Sequence, residues 1–318
     1  MTLTELRYIV AVANEHHFGR AAEACFVSQP TLSVAVRKLE EELGVTLFER
    51  GKRDVRITQV GERIVAQAQR VLEEVSTIRQ LAQQGEDPLA QPLRLGAIYT
   101  IGPYLLPQLV PILRERAPKM PLLLQENYTA ALREQLKRGE LDVILLSLPF
   151  EEPGIVTEPL YEEPFVVLIP SSHPWNQLRS IEPKQIAQEN VLLLGPGHCF
   201  REQVLELCPE CAHSAPTGDV HRSLESSSLE TIRHMVASGL GISVLPCTSA
   251  GAGRYSERLI AIRRFVPPAP TRIVALAWRS SFPRREAVEV VREAVLESGL
   301  TCVKMLSAAA AKTERLAG

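Results

Sequence analysis

Long apolar runs are missing from this chain. None reaches the roughly 18 residues that a membrane-spanning helix needs, so no segment reads as a membrane span. Charge of one sign is missing too: 35 lysines and arginines stand against 37 acidic residues, a net charge of −2. Any charge that recognises nucleic acid must then be local rather than global. Cysteine is scarce, six in 318 residues, which excludes the disulfide framework of a small secreted protein. The opening MTLTELRYIVAVANE lacks the basic segment and cleavage site of a secretory signal and reads as an amphipathic helix. A cytoplasmic protein is expected, in a compartment where thiols are ordinarily reduced. The length suits two or more domains.

The cysteines that are present are clustered. GPGHCFREQVLELCPEC, residues 195–211, holds Cys199, Cys208 and Cys211. In a reducing compartment such a cluster points to catalysis, metal binding or redox sensing, so the surrounding architecture must say what it controls.

The first sixty residues are dense in short helical signals. Leu3, Leu6, Ile9, Val10 and Ala13 recur at helical spacing, and FGRAAEAC makes a second short helix. Ser28 is a candidate N-cap with Gln29 and Pro30 in the first turn; Leu32, Val36, Leu39 and Leu43 then form an apolar stripe that Gly44 ends. Thr31, Ser33, Arg37 and Lys38 lie on the other face. A helix pair with a polar-fronted second member suits a helix-turn-helix. VTLFERGKRDVRIT reads as a hairpin whose Arg50, Lys52, Arg53 and Arg56 can reach phosphates. The plain alternative is a small helical domain with a solvated charge run.

AAEACFVSQPTLSVAVRKLEEELGVTLFER resembles the DNA-binding motif of the LysR-type transcriptional regulators, and the match is long and ungapped. The resemblance implies that Gln29, Pro30, Thr31, Ser33 and Arg37 meet DNA, with Arg50 on the backbone; Arg53 joins the DNA-binding candidates from the basic hairpin. Binding to double-stranded DNA should weaken steeply with salt, because each neutralised phosphate releases counterions.

Residues 58–86 form one helical pattern, in which Ile64, Ala68, Val71, Val75, Ile78 and Ala82 step by four and three. A seam of that period calls for a partner helix, and a dimer would present two recognition helices to two half-sites. GEDPLAQP then breaks the pattern. Beyond it strands and helices alternate: PLRLGAIYT, MPLLLQENY, LDVILLS, FVVLIP, NVLLLG and GISVLP read as strands, and PYLLPQLVPILRER, TAALREQLKRG and SSLETIRHMVASG as helices. Such alternation predicts an α/β unit with mainly parallel sheets. The Pro-rich LPFEEPG and FVPPAP are candidate passes between two lobes.

The expected fold is an N-terminal all-α winged helix-turn-helix, a long linker helix and a C-terminal α/β effector domain of two lobes, similar to the periplasmic-binding-protein-like domain of the LysR-type family. The expected boundaries are 1–58 for the head and 59–87 for the linker and dimerisation helix. The effector domain takes 88–306, with lobe I about 92–162 and 268–306 and lobe II about 163–267, followed by a tail at 307–318.

Open α/β sheets place their sites beyond strand ends, at helix N-termini. Cys199 follows NVLLLG and opens the helical run CFREQVLEL, Thr100 ends PLRLGAIYT, and Thr129 stands where it can cap the next helix. A helix N-terminus favours an anion and so a thiolate, the form that attacks peroxide; His198 and Arg201 are adjacent. If 199–208 were one helix, its ends would stand about 13 Å apart, whereas disulfide-bonded Cα atoms lie within about 4.4–6.8 Å. A bridge between these ends would require the helix to unwind. The plain reading makes Cys208 a buried small hydrophobe and each threonine an ordinary cap.

GHCFREQ followed by Cys208 resembles the redox segment of the OxyR regulators, the hydrogen-peroxide-sensing branch of the LysR family. That resemblance implies a peroxidatic Cys199, a resolving Cys208, and a peroxide pocket shaped by Thr100, Thr129, His198 and Arg201. It also implies a homo-tetramer built as a dimer of dimers, RNA polymerase as a partner, an outside thiol system for re-reduction, and neither catalytic turnover nor a cofactor. The CPEC sequence departs from the branch, so Cys211 stands as an alternative resolving thiol. Two other readings stay open: a regulator that binds a small organic effector in the inter-lobe cleft, or a thiol-redox or metal protein using Cys208 and Cys211 with His213 and His221. No metal is expected, because one C-x-x-C with scattered histidines is a weak zinc pattern. Cys25, Cys247 and Cys302 read as small hydrophobes or bystanders.

Overall fold

In a computed structural model that describes residues 1–50, 55–83, 87–212, 226, 228–250 and 258–306, the chain forms two units, Met1–Gln84 and Gly85–Gly318. The first comprises α1 (Leu3–Glu15), α2 (Phe18–Ala24), α3 (Gln29–Leu43), the strands β1 (Phe48–Arg50) and β2 (Val55–Ile57), and α4 (Gln59–Gln83). Thr2 and Glu5 form a reciprocal capping box that starts α1. Ser28 starts α3 by accepting the Thr31 amide, and Gly44 ends it at φ +68°, a conformation that glycine adopts without strain. Leu32, Val36 and Leu39 are fully buried. Leu43, assigned by spacing to the same stripe, is 37 % exposed: it is the last residue of the helix, beyond the core that α1 and α2 supply. Strands β1 and β2 pair antiparallel, and the Glu40 carboxylate accepts the Leu47 and Phe48 amides at 2.7 and 3.1 Å, which fastens this wing to α3.

Helix α4 serves its own head before any partner. Ala68 is buried, and Ile64 and Val71 pack on the head's core, so the first half of the seam is covered within the chain. Val75 is half-buried and Ile78 is 63 % exposed. The Ala82 side chain lies outside the described residues.

The second unit runs β3 (Leu93–Ile98), α5 (Gly102–Arg116), β4 (Leu122–Asn127), α6 (Thr129–Lys137), β5 (Val143–Ser147), β6 (Ile155–Pro170), β7 (Ser180–Ile181), α7 (Cys199–Leu207), α8 (Leu229–Ala237), β8 (Ser243–Pro246), α9 (Cys247–Ala250), β9 (Ile260–Phe265), β10 (Thr271–Arg279), α10 (Arg285–Leu296) and β11 (Lys304–Met305). The sheet order is β4-β3-β5-β10-β6-β9-β7, with β8 and β11 also paired to β6.

Two expectations need correction. The sheet is mixed: among the described residues only β3–β4, β3–β5 and β7–β9 are parallel ladders, and every ladder made by β6 or β10 is antiparallel. The cause is the crossing. Strand β6 passes from one half of the unit to the other, and the chain returns through 266–270 into β10, which must run against it. FVVLIP is the second half of this 16-residue strand. The second correction concerns NVLLLG, which is no strand: it makes only isolated bridges, Val191 to Ile242 and Leu194 to Ser226.

Buried apolar residues gather in two clusters, one centred on β3, β5, β10, α5 and α10, the other on the second half of β6 with α7, α8 and β8. These are the two lobes, and β6 contributes Leu160 and Tyr161 to one and Phe165–Ile169 to the other.

Candidate thiol centre and helix-turn-helix face

In the head, Gln29, Pro30, Thr31 and Arg37 are exposed at and beyond the start of α3, and Ser33 is half-buried. Arg37 lies 3.6 Å from Glu41 on the next turn. Arg50 belongs to β1 by its backbone, but its side chain lies outside the described residues, as do Lys52 and Arg53. Sequence reasoning passed over two apolar groups here. Val34 is 68 % exposed on α3, and Phe26 is 96 % exposed at φ +58° in the turn between α2 and α3. Val34 was legible, because it falls off the Leu32, Val36, Leu39 stripe.

In the effector unit, Cys199 is the first residue of α7, with His198 at its N-cap. Gly197 turns the chain into this corner at φ +94°, and a side chain there would press within 3.3 Å of the Tyr128 ring. The buried His198 packs against Tyr128 at 4.7 Å and Tyr99 at 5.8 Å between ring centres. Half-buried Cys199 lines a cavity of about 470 Å³ with Thr129, Ala130, Arg133, His198 and Glu202. The Thr129 hydroxyl is buried without a hydrogen-bond partner among the described residues. Contrary to the expected cap, Thr129 is the first residue of α6, and Tyr128 at the N-cap makes no side-chain bond. Gln203, one turn beyond Cys199, donates to the Ser147 hydroxyl at 2.9 Å, and its own buried carbonyl oxygen has no partner among the described residues.

Thr100 and Arg201, expected in the same pocket, do not line this cavity. Arg201 donates to the Leu194 carbonyl at 2.7 Å, bracing the loop before the thiol. The buried Thr100 hydroxyl accepts from Arg272 at 2.8 Å, and its carbonyl accepts from the same guanidinium at 3.0 Å. Arg272 and Glu163 form a fully buried ion pair at 2.7 Å, and the guanidinium sits 5.5 Å from the Phe200 ring centre. Glu163 also accepts the Thr248 amide at 3.0 Å. Thr100, Arg272, Glu163 and Phe200 thus tie the start of α5 to α7, a network without a local sequence signal because its members are up to 172 residues apart. Burial raises the Tyr104 phenol, whose hydroxyl donates to Glu230 at 3.0 Å and feels that carboxylate. Burial likewise raises Tyr161, next to Glu163, and the Glu126 carboxyl.

The Cys199–Cys208 bond, expected only after oxidation by peroxide, is not formed in this state. Cys208, at the C-cap of α7, is bonded to Cys211, and their Cα atoms are 5.5 Å apart. Cys199 is free, and the intact α7 sets it about 13 Å from Cys208 by helical rise. Cys247 and Cys302, read as bystanders, are bonded to each other. Cys25 is half-buried. The disulfide removes Cys208 and Cys211 as metal ligands in this state. Among the described residues no cluster of ligands could hold a metal, and His213 and His221 lie outside them.

A winged helix-turn-helix and a two-lobed α/β unit on one chain define a single-chain regulator, in which a sensing domain accompanies its own DNA-reading head. The comparisons agree in both halves. Residues 3–62 match the bacterial regulatory helix-turn-helix proteins of the lysR family, and 86–299 match the LysR substrate binding domain. The DNA-binding transcriptional dual regulator OxyR of Escherichia coli is 39 % identical over 295 residues, 93 % of this chain and 95 % of that one. A full-length Pseudomonas aeruginosa OxyR carrying a cysteine-to-aspartate change superposes with a TM-score of 0.66 at 57 % identity, covering 93 % of this chain and 94 % of that one. A cysteine-to-serine OxyR from Corynebacterium glutamicum, with hydrogen peroxide bound, gives 0.61 at 32 % identity, covering 93 % and 92 %. The chain belongs to the LysR family of transcriptional regulators, in its OxyR branch.

Proposed function

We propose that the chain is a cytoplasmic, DNA-binding transcriptional activator that hydrogen peroxide switches through Cys199 and Cys208. The observation that carries this is the corner at α7: a free sulfur at a helix N-terminus, in a small cavity, beside a buried Thr129 hydroxyl with an unused hydrogen bond. That setting suits a molecule as small as hydrogen peroxide, which several relatives are named for. The Cys199 thiolate attacks one peroxide oxygen, the O–O bond breaks, and hydroxide leaves, giving a sulfenic acid. Once an outside dithiol has opened the Cys208–Cys211 bond by exchange, the freed Cys208 thiol displaces that oxygen as water and forms the disulfide. Since α7 holds the two sulfurs apart, the second step requires the helix to unwind, withdrawing Phe200 and Val204 from the core of their lobe. The rearranged lobes reset the spacing of DNA-reading heads in a tetramer assembled as a dimer of dimers. Val75 and Ile78 on α4 supply apolar surface for pairing, and the DNA-bound tetramer engages RNA polymerase. An outside dithiol system returns the protein to its starting state.

A cavity of about 1130 Å³, walled by Leu300 and Val303 from one lobe and Phe165 and Phe265 from the other, supports a second reading: a small organic effector binds between the lobes. One titration decides. The fully reduced chain is treated with stoichiometric hydrogen peroxide, its free thiols are blocked, and its cysteine peptides are mapped by mass spectrometry. A Cys199–Cys208 bond is the expected product. A Cys199–Cys211 bond moves the resolving role, and an unmodified Cys199 overturns the peroxide reading in favour of the inter-lobe effector.

A further inference from the structure

The bond between Cys247 and Cys302 differs in kind from the other thiol pairs. Cys208 and Cys211 are three residues apart within one lobe, and their bond restrains only the end of α7. Cys247 and Cys302 are 55 positions apart, with Cα atoms at 6.2 Å. Cys247 opens α9 directly after β8, whose Pro246 pairs with Phe165 in the second half of β6, and it packs on that lobe's core. Cys302 stands two residues before β11, whose Lys304 and Met305 pair with Glu162 and Tyr161 in the first half. Its neighbours Leu300 and Val303 pack on the other lobe's core. The sulfur–sulfur bond therefore runs from one lobe to the other.

Its position is equally specific. Both cysteines line the large cavity between the lobes, with Cys247 half-buried and Cys302 exposed, so a small oxidant or a dithiol reductant can reach the pair without unfolding the chain. No helix has to melt for the bond to close, in contrast to Cys199 and Cys208.

We propose that Cys247 and Cys302 form a second redox centre, independent of Cys199, that clamps the two lobes across their cavity when oxidised. A hydroperoxide supplies the oxidising equivalents. One thiolate attacks the peroxide, the O–O bond breaks and hydroxide leaves; the second thiol displaces the sulfenic oxygen as water and the S–S bond forms, so two thiols and one hydrogen peroxide give one disulfide and two waters. A dithiol reverses the step by exchange, leaving with its own disulfide. In a reducing compartment the clamp opens at rest and closes under oxidant load. The inference stands whether or not Cys199 is the peroxide sensor.

The test uses three full-length proteins: the natural chain, Cys199→Ser and Cys302→Ser. Each is reduced under native conditions, treated with hydrogen peroxide and mapped for disulfides. Hydrogen exchange is then followed over 243–250 and 300–306. The Cys247–Cys302 peptide pair is expected to disappear on native reduction and to re-form in both the natural chain and Cys199→Ser. Oxidation should slow exchange about tenfold at these two segments in Cys199→Ser, and by clearly less in Cys302→Ser, which keeps only the response that starts at Cys199. The inference fails if the bond survives native reduction, which makes it a fixed brace. It fails equally if the bond re-forms only when Cys199 is present, or if exchange slows as much in Cys302→Ser.

Discussion

If the Cys199–Cys208 bond forms only by unwinding α7, core packing under that helix must oppose oxidation. Val204, 2 % exposed at mid-helix, offers a measured perturbation. Val204→Ala removes two carbons, worth about 0.8 kcal/mol each in transfer, and leaves a small void, for a total near 2 kcal/mol. That loss falls on the dithiol form, which keeps the helix, and is absent from a disulfide form whose helix has opened. The dithiol–disulfide equilibrium should therefore move about thirtyfold toward the disulfide. With 1.4 kcal/mol equal to about 30 mV for a two-electron couple, the midpoint should become about 40 mV more negative. The assay equilibrates each protein in graded dithiol buffers, blocks thiols and quantifies the Cys199–Cys208 peptide, with Cys211→Ser in all versions to leave one partner for Cys199. Val288→Ala, an equivalent truncation in the other lobe's core, is the control and should leave the midpoint unchanged. Equal midpoints for Val204→Ala and its parent would refute the argument, since they would mean that Val204 is equally packed in both redox forms.

Four further outcomes are expected. Arg37→Ala should weaken operator binding and reduce the slope of log affinity against log salt by about one, read by anisotropy at several salt concentrations; an unchanged slope removes Arg37 from the phosphates. Thr129→Val deletes a buried hydroxyl that has no partner among the described residues, so thermal unfolding should show unchanged or higher stability by about 1 kcal/mol, while stopped-flow oxidation of Cys199 slows roughly tenfold. Arg272→Met should lower stability by about 3–5 kcal/mol by stranding the buried Glu163, and adding Glu163→Met should recover most of it; denaturant unfolding tests both. Burial raises the Glu126 carboxyl above its unfolded value, so ionisation opposes folding: stability falls as pH rises from the ordinary carboxylate range through the folded value, and that slope should vanish in Glu126→Gln.

The head was nearly transparent in sequence because its signals are local. Ser28 and Gly44 bracket α3 within sixteen positions, and the stripe between them has a single period. The effector unit was legible in its elements but not in its sheet. Alternating apolar runs announce strands and helices; they do not announce that one strand serves both lobes, because Pro159 and Pro164 break the run that joins its halves. The pleat accommodates Pro159 beside a shift in register against β10. At the thiol centre, Cys199 and the bounds of α7 followed from the helical spacing of CFREQVLEL, and Thr129 came from its place after a strand. Arg272, Glu163 and Gln203 did not, because their meaning depends on partners that only the fold brings near. The Cys247–Cys302 bond was invisible for the same reason.

Strand β6 also has a consequence for how the effector unit can come apart. A hinge made of loop lets two halves melt separately, each at its own temperature. Here the ladder of β6 with β10 continues without a break into its ladder with β8 and β9, so tearing one half loosens an edge of the other. The lobes should unfold in one cooperative transition. Neither half would survive as an excised fragment, and chimaeras that exchange a lobe between relatives must carry the whole of β6 with its partners or lose both lobes together.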